Sequence, residues 1–367
     1  MQAESRLSGR AKAWLALAVS LGLLLLLVGM AEVAVRIRQS IKYGYAGSIE
    51  QLYEVDVVTG LRVPRAGATL GAIRINSRGF RGPEFEVPKP AGTVRIAFLG
   101  ASTTFCAEVS SDQVVWPDLV TQSLRRTFNQ VRIDYVNGGV PGYTVRSSLK
   151  NLQLRVAPLR PDIVVIYHAT NDLSVELRSI AIAQGIGRNI APPDTGWLAR
   201  HSLLWNLVSK NLRILAAQGD AAPDAGQVVK FDPDKIGARF REDLTELVRA
   251  AKETSAVVAL TTFSVHMRAD QVGDARRRAM ETALLYMPGY DFDALVRAFG
   301  RYNDIIREVS RQEGGLLIDD EDRIPGDPEH FVDSVHFSDA GSRIQGLRVS
   351  EALEKADVIR QLMSKPR

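Results

Sequence analysis

The chain has 367 residues, which is enough for an N-terminal hydrophobic segment followed by one large domain. Its composition is that of an ordinary globular protein and excludes the disordered and fibrous classes. The formal net charge is only +4, and the basic residues are scattered along the chain, so nucleic acid is not an expected partner. The single cysteine, Cys106, permits no internal disulfide, and we interpret it as a small core residue.

An uncharged apolar segment lies at residues 13–31 and has the length needed to cross a hydrocarbon core of about 30 Å. We predict a short tail at residues 1–12 and a transmembrane signal-anchor helix at residues 13–35. Basic residues stand on both sides of the helix and favour a cytoplasmic N-terminus only in part. A cleaved signal peptide is the alternative, because residues 29–31 offer a small-x-small cleavage site. Either interpretation places the rest of the chain on the extracytoplasmic side, periplasmic or extracellular.

Residues 36–91 are rich in Gly, Pro and Arg, and we interpret them as a juxtamembrane spacer packed on the edge of a domain that fills residues 92–367. Within that domain, short apolar segments alternate with amphipathic ones. The predicted strands lie at residues 95–99, 131–136, 162–167, 256–263 and 315–318. The predicted helices lie at residues 116–128, 145–156, 236–251 and 295–310, and from 339 onward. Two insertions, at about 173–229 and 264–291, interrupt the alternation. This pattern predicts a three-layer α/β/α sandwich with a five-stranded parallel sheet.

Polar segments that follow the first three strands contain candidate functional residues, because ligands of open parallel sheets bind beyond the C-terminal ends of the strands. Ser102 stands in a Gly-Ala-Ser turn before a helix, which exposes its hydroxyl, although an ordinary helix cap is the alternative. After the second strand, Gly139 and Gly142 leave room for a backbone N–H to approach a substrate oxygen, or they form a plain turn. After the third strand, Asn171 can donate its amide to an oxyanion or cap a helix.

The last polar segment precedes the terminal helix and contains Asp333 three residues before His336. An Asp at this spacing can hold the imidazole Nδ1–H while Nε2 remains available as a general base, although a surface ion pair has the same spacing. The prediction therefore depends on the conjunction of four segments from four different elements. Together they predict a catalytic triad of Ser102, His336 and Asp333.

At these residues the sequence resembles the SGNH, or GDSL-like, hydrolase family, whose blocks carry a Ser, a Gly, an Asn and a His. The matching residues are Ser102, Gly142, Asn171 and His336, and the triad carboxylate is Asp333. The resemblance implies a flavodoxin-like SGNH hydrolase fold and a serine nucleophile that forms an acyl-enzyme. It also implies an oxyanion hole made by the Ser102 N–H, the Gly142 N–H and the Asn171 amide.

Three features of the blocks qualify this resemblance. Gly139 is close enough to Gly142 to be its rival in the oxyanion hole. Ala101 stands where the GDSL form has Asp, and Ala169 stands where the third block usually has Gly. Neither departure removes a catalytic group.

The expected function is the hydrolysis of carboxylic esters, acyl or acetyl, on an acylated glycan or lipid. O-acetyl groups of cell-envelope or extracellular polysaccharide are the expected substrates, because a membrane anchor gives access to them. The alternatives are an O-acyltransferase that uses the same triad on glycans and a non-catalytic binding scaffold. No metal or organic cofactor is expected. We further interpret the insertions as a lid or substrate wall, residues 319–322 as a solvated acidic loop, and the apolar stripe from Trp197 to Leu207 as internal packing.

Overall fold

The computed structural model describes residues 9–43, 45–186, 196–219 and 229–364. Its first element is helix α1 (Gly9–Tyr43), of which Gly9–Ile41 is long and apolar enough to cross a membrane. A signal sequence near an N-terminus passes the same test of length and composition, so the helix by itself does not distinguish an anchor from a cleaved signal. Residues 1–8 of the predicted tail lie outside the described residues.

The predicted spacer contains two small hairpins. Strands β1 (Tyr53–Val55) and β2 (Arg62–Pro64) pair antiparallel, as do β3 (Thr69–Leu70) and β4 (Ile73–Arg74). A single 3₁₀ turn (Ile49–Leu52) precedes them. Apolar side chains of these hairpins form a separate cluster with side chains from two loops of the sheet; its buried members are Leu52, Tyr53, Leu61, Val63, Ala68, Leu70, Ile73, Ile75, Ala101, Phe105, Val140 and Tyr143. We call this group the spacer cluster.

Five parallel strands form the main sheet, and their order matches the flavodoxin-like prediction. The strands are β5 (Thr93–Gly100), β6 (Arg132–Asn137), β7 (Ile163–Tyr167), β8 (Val257–Thr261) and β9 (Leu316–Ile318). Their spatial order is β6-β5-β7-β8-β9. The chain moves outward in one direction from β5 to β6 and in the other direction from β7 onward. The gap between β5 and β7 is therefore the switch point at which ligands of such sheets bind.

Helices cover both faces of the sheet and complete the three layers. Those between the sheet strands are α2 (Ser102–Phe105), α3 (Trp116–Thr127), α4 (Val145–Asn151), α5 (Thr170–Ala183), α6 (Trp197–His201), α7 (Leu203–Gly219), α8 (Ala238–Thr254), α9 (Gly273–Tyr286) and α10 (Phe292–Gln312). The chain ends with α11 (Asp339–Lys355) and α12 (Asp357–Ser364). Helix α3 packs against α11, whereas α8 packs against α4 and α10. A π-helical turn (Leu152–Val156) directly follows α4, and the two together span the helix predicted at residues 145–156.

The first predicted insertion is shorter than the sequence indicated. Helix α5 begins before residue 173, and Leu173, Leu177 and Ala181 are buried in the main core, so this helix belongs to the sandwich. The difference in polarity between the two faces of α5 is weak, because its outer face also carries apolar residues, among them Val175, which is 57% exposed. The apolar stripe that follows is only partly internal: Leu203 is buried, but Trp197 is 71% exposed.

Candidate active site

The turn between β5 and α2 presents Ser102 at the C-terminal edge of the sheet. Gly100 ends the strand, and a Cβ atom at this position would lie 2.0 Å from the Thr104 Oγ1 atom and 2.9 Å from the Tyr167 carbonyl oxygen. Only glycine fits so close an approach. The Phe105 N–H donates to the Ala101 carbonyl at 2.9 Å and closes the first turn of the helix. The serine is therefore held half-buried at the switch point of the sheet.

The structure brings Ser102, His336 and Asp333 into one hydrogen-bonded chain. The Ser102 Oγ lies 2.7 Å from the His336 Nε2, and the His336 Nδ1 lies 2.7 Å from the Asp333 Oδ2. The other carboxylate oxygen, Oδ1, accepts the backbone N–H groups of Val335 at 2.9 Å and His336 at 2.8 Å. Because the carboxylate can only accept, Nδ1 carries the proton, and in the neutral imidazole Nε2 is the atom that can accept the serine proton.

The charges around this chain favour an ionised Asp333 and a basic imidazole. Burial of Asp333 acts to raise its pKa, but the hydrogen bonds from His336 and from the backbone outweigh burial and hold the pKa below the usual carboxyl range. Burial of His336 acts to lower its pKa, but the negative charges of Glu108 and Asp333 raise it to about 9. Glu108 follows the nucleophile by six residues and belongs to none of the sequence blocks, so the sequence analysis missed it.

A buried histidine from the second insertion supports the loop that carries the base. The His266 N–H donates to the Ser334 carbonyl at 2.9 Å, and the His266 Nδ1 lies 3.2 Å from the Asp333 carbonyl oxygen. Its ring stacks on Phe331, with ring centroids 5.6 Å apart. The Ser334 Oγ in turn accepts the Ala283 N–H of helix α9 at 2.9 Å. This insertion therefore contacts the back of the base loop, and the sequence offered no signal for His266 beyond its residue type.

The two candidate glycines of the oxyanion hole differ in their surroundings. The Gly139 N–H donates to the Asn137 Oδ1 at 3.0 Å, and a Cβ at Gly139 would lie 2.7 Å from the Phe105 nitrogen. Gly142 has a φ of +86°, and a Cβ there would meet nothing within 4 Å. Gly139 therefore serves close packing behind the nucleophile turn, whereas Gly142 lies on the open side with a backbone conformation that favours glycine.

Side chains from the spacer and from α5 hold the loop around Gly142. The Asn171 Nδ2 donates to the Tyr143 carbonyl at 2.8 Å, which uses one of the two amide hydrogens. The Tyr143 hydroxyl donates to the Arg62 carbonyl at 2.8 Å, and the Arg62 guanidinium donates to the Pro141 carbonyl at 3.3 Å. Both neighbours of Gly142 are thus fixed by the spacer, and Asn171 lies beside the same peptide with one hydrogen to spare.

A buried arginine from the spacer supports the end of the nucleophile helix. Arg81 is 1% exposed, and its Nη1 donates to the carbonyls of Phe105, at 2.9 Å, and Cys106. Its Nε forms an ion pair with Asp112 at 2.7 Å. Carbonyls at the C-terminal end of a helix lack intrahelical partners, so the guanidinium satisfies them. This contact has no signal in the sequence, because Arg81 lies in an irregular segment.

The remaining candidates have structural surroundings. His168 packs at a strand end, 3% exposed, with its Nε2 2.7 Å from the Ser148 Oγ. Cys106 is buried, and burial raises its thiol pKa to about 12, so it is not a thiolate nucleophile. Among the residues that the structure describes, no group of three or more His, Cys, Asp or Glu side chains is arranged to hold a metal ion.

The acidic loop at residues 319–322 is less solvated than the sequence indicated. The Arg307 guanidinium pairs with Asp319 at 2.9 Å and with Glu321 at 2.6 Å. The Asn303 Nδ2 also donates to Glu321 at 3.0 Å. The loop is therefore tied to helix α10 by ion pairs, because the carboxylates follow the edge strand β9 directly beside an arginine of that helix.

The sheet order defines the fold as a flavodoxin-like α/β sandwich, with polar side chains gathered at its switch point. Residues 98–344 match the model of the GDSL-like Lipase/Acylhydrolase family, and the chain belongs to this family. It is accordingly a hydrolase that acts on ester bonds, of the SGNH type. No curated protein matches the chain in sequence.

Solved structures with a similar fold include two esterases or lipases of bacteria. The acetylxylan esterase Axe2 from Geobacillus stearothermophilus is 15% identical, with a TM-score of 0.44, over 73% of this chain and 96% of that one. The lipase/acylhydrolase from Enterococcus faecalis is 20% identical, with a TM-score of 0.42, over 71% of this chain and 95% of that one.

Proposed function

We propose that this chain is a serine esterase in which Ser102 is the nucleophile, His336 the general base and Asp333 the carboxylate that orients the base. The observation that carries the proposal is the unbroken hydrogen-bonded chain from the Ser102 hydroxyl to the Asp333 carboxylate, with 2.7 Å at both links. These distances lie within the range at which a base removes the proton of a nucleophile. The raised pKa of His336 makes the imidazole a stronger base than free histidine.

The reaction proceeds through two tetrahedral intermediates. The Ser102 oxygen bonds to the ester carbonyl carbon while its proton moves to the His336 Nε2. Collapse breaks the ester bond, and the departing alcohol takes the proton from His336, which leaves an acyl-enzyme. Water then attacks the acyl carbon, His336 accepts the proton of the water, and the serine recovers it as the carboxylic acid leaves. Asp333 stabilises the imidazolium in both steps without becoming protonated.

The negative oxygen of each intermediate is assigned to the Ser102 N–H, the Gly142 N–H and the Asn171 amide. Support comes from the open side of Gly142 and from the second amide hydrogen of Asn171, which the contact with Tyr143 leaves unused. Gly139 is a weaker candidate, because its N–H already donates to Asn137. Fixed neutral donors of this kind stabilise an oxyanion without reorganising during the reaction.

The substrate class that we propose is an O-acetylated glycan of the cell envelope or extracellular matrix. In this proposal α1 spans the membrane once and holds the domain on the extracytoplasmic side, next to such polymers. The apolar length of α1 supports the anchor, and it is equally compatible with a signal sequence. Transfer of the acyl group to a sugar hydroxyl in place of water is an outcome that product analysis distinguishes.

The test uses the full chain in detergent with a fluorophosphonate probe and an activated acetyl ester. Wild type is expected to be labelled and to hydrolyse the ester, and Ser102→Ala is expected to lose both. Ser364→Ala, which changes an exposed serine near the C-terminus, is the matched control and should retain both. Labelling that persists in Ser102→Ala would show that another group is the nucleophile. Acetylated xylan is also supplied together with a deacetylated glycan acceptor. Release of acetate then indicates hydrolysis, and acetylation of the acceptor indicates transfer.

A further inference from the structure

Helix α1 carries a tryptophan at one end of its apolar stretch and an acidic residue at the other. Trp14 is 70% exposed and follows Arg10 and Lys12. The helix rises about 27 Å from Trp14 to Glu32, since each residue adds about 1.5 Å. This length is close to the hydrocarbon thickness of about 30 Å, so Glu32 lies at the level of the opposite headgroups when α1 spans a bilayer.

The Glu32 carboxylate holds the first insertion against this end of α1. It accepts hydrogen bonds from the Ser202 hydroxyl at 2.8 Å, the Leu203 N–H at 3.0 Å and the Leu204 N–H at 2.9 Å. The two N–H groups lie in the first turn of helix α7 and lack partners within the helix, so a carboxylate is a favourable cap for them. The beginning of α7 is thereby fixed at the headgroup level of the proposed span.

A second set of contacts ties the insertion to α1 and to the spacer. The Arg36 Nη2 donates to the His201 carbonyl at 2.6 Å, at the junction of α6 and α7. The Asn206 Nδ2 donates to the Ser48 hydroxyl at 3.0 Å, and α6 packs against the turn Ile49–Leu52. Helices α6 and α7 therefore bridge the membrane-facing helix and the spacer cluster.

The bridging helices expose large apolar side chains at this level. Trp197 and Leu198 of α6 are 71% and 48% exposed. On α7, Trp205 is 40%, Val208 40% and Leu212 59% exposed, and their spacing of three and four residues places them on one helical face. Tryptophan is the residue that membrane proteins concentrate at the headgroup boundary, because its ring is apolar and its N–H is polar.

We propose that α6 and the exposed face of α7 dock into the interfacial region of a phospholipid bilayer, beside the end of α1. The occupant is the lipid surface because Glu32 and Arg36 of α1, the helix that the bilayer would enclose, bind the backbone where α6 and α7 meet. Trp205 follows Leu204, whose N–H donates to Glu32, so the exposed face of α7 begins beside the headgroup end of α1. The spacer cluster then transmits this docking to the loops around Ser102 and Gly142. The catalytic domain is held in one orientation on the membrane instead of swinging on a free tether. This inference rests on the proposed span of α1 but not on the proposed catalytic roles.

The test measures quenching of tryptophan fluorescence by brominated phospholipids. The full chain is reconstituted in vesicles of phosphatidylcholine brominated either close to the headgroup or deep in the acyl chain. Each variant keeps the buried Trp116, which packs in the core, and one exposed tryptophan, while the other exposed ones become Phe. A variant that keeps Trp116 alone gives the background. Only exposed positions change, so folding is preserved.

The variants with Trp197 and Trp205 are expected to lose more fluorescence than the background, and more with shallow than with deep bromines. The Trp14 variant reports the insertion of α1 and is expected to be quenched as well. Replacing Glu32 with Ala should reduce quenching of Trp205 and leave that of Trp14 unchanged.

Two results would overturn the docking. The first is that brominated lipid quenches Trp14 but quenches Trp197 and Trp205 only at the background level. In that case iodide in the water would quench Trp197 and Trp205 freely, or crosslinking would show that a second copy of the chain covers them. The second is a Trp14 variant without quenching, which would remove the span itself. Ester hydrolysis by the same samples is measured separately, so that a failure of the docking is distinguished from a failure of the catalytic proposal.

Discussion

The main core and the spacer cluster hold different sides of the candidate active site. The base loop belongs to the main core, which includes Val335 and Phe337 on either side of His336. The nucleophile turn and the oxyanion loop contribute Ala101 and Tyr143 to the spacer cluster instead. The main core is built from long periodic elements, whereas the cluster is built from strands of two or three residues. A segment that resembles a linker in sequence thus forms one wall of the site.

The stability of the fold and the alignment of the catalytic groups therefore depend on different regions. The sheet gives the chain its fold and brings the strand ends together. The spacer strands pair only with each other and add no strand to the main sheet. Arg62 and Arg81 from the spacer donate to backbone carbonyls beside the catalytic groups. We therefore expect changes in the main core to affect unfolding, and changes in the spacer to affect turnover.

The largest effect is expected at the base loop. Asp333→Asn removes the carboxylate that selects the imidazole tautomer, and kcat should fall by about 10⁴-fold with little change in thermal unfolding. Asp327→Asn is the matched control, because Asp327 bonds the Nδ1 of His330 at the same three-residue spacing and 2.8 Å. Similar losses in both variants, measured as kcat on an acetyl ester, would contradict the assignment of the triad.

The next effect is expected on the oxyanion side. Asn171→Ala should lower kcat by about 10²–10³-fold, because it removes a donor to the developing charge. Asn171→Asp keeps the shape of the side chain but replaces the donor with an acceptor, and it should be at least as slow. Asn129→Ala, at an exposed position remote from the site, should keep wild-type kcat. Full activity of Asn171→Asp would exclude the amide from the oxyanion hole.

Two buried arginines make the sharpest comparison between the regions. Arg81 in the spacer pairs with Asp112, and Arg95 in β5 pairs with Asp134, both at 2.7 Å and both at most 1% exposed. Arg81→Met should lower kcat by up to about 10²-fold, since small displacements of a nucleophile carry large costs. Both variants break a buried ion pair, so both should lower the free energy of unfolding by about 3 kcal/mol, but Arg95→Met should leave the kcat of the folded protein near the wild-type value.

These two variants are compared by kcat and by thermal unfolding in the same detergent. Arg81→Lys should restore part of the lost kcat, since an ammonium can still reach one carbonyl, and this recovery separates positioning from a merely structural role. If Arg95→Met reduced kcat of the folded protein as strongly as Arg81→Met, the division between the two regions would fail.

The smallest effect is expected in the pH profile. Glu108 contributes to the raised pKa of His336, which is about 9, and a base must be deprotonated to act. The rate kcat/KM should therefore rise as pH increases through that pKa, and Glu108→Gln should move the rising limb to lower pH. Glu242→Gln, an exposed position on α8, is the control that should leave the limb in place. If the rising limb stayed at the same pH in Glu108→Gln, the charge of Glu108 would not contribute to the pKa of His336.

Much of the fold was predictable because the regular alternation of buried and exposed positions in helices and strands appears in the sequence as a periodic pattern of apolar residues. Each predicted strand overlaps one of β5 to β9, and the prediction of a five-stranded parallel sandwich is confirmed. Helix α5 was assigned to an insertion because apolar residues such as Val175 cover its outer face as well as its inner one. The triad and oxyanion roles stay predictions, although the structure brings Ser102, His336 and Asp333 together as the sequence indicated.

The order of the elements, the family motifs and the three-residue spacing of Asp333 and His336 can be derived from the sequence, because each depends on residues close together in the chain or on a repeating pattern of burial. The tertiary structure is needed to show that Arg81 contacts the nucleophile helix and that His266 contacts the base loop. It also shows that the negative charge of Glu108 raises the pKa of His336. Such contacts join irregular segments whose packing follows no period. Their positions are therefore fixed by how the sheet, the spacer cluster and the insertions meet in space.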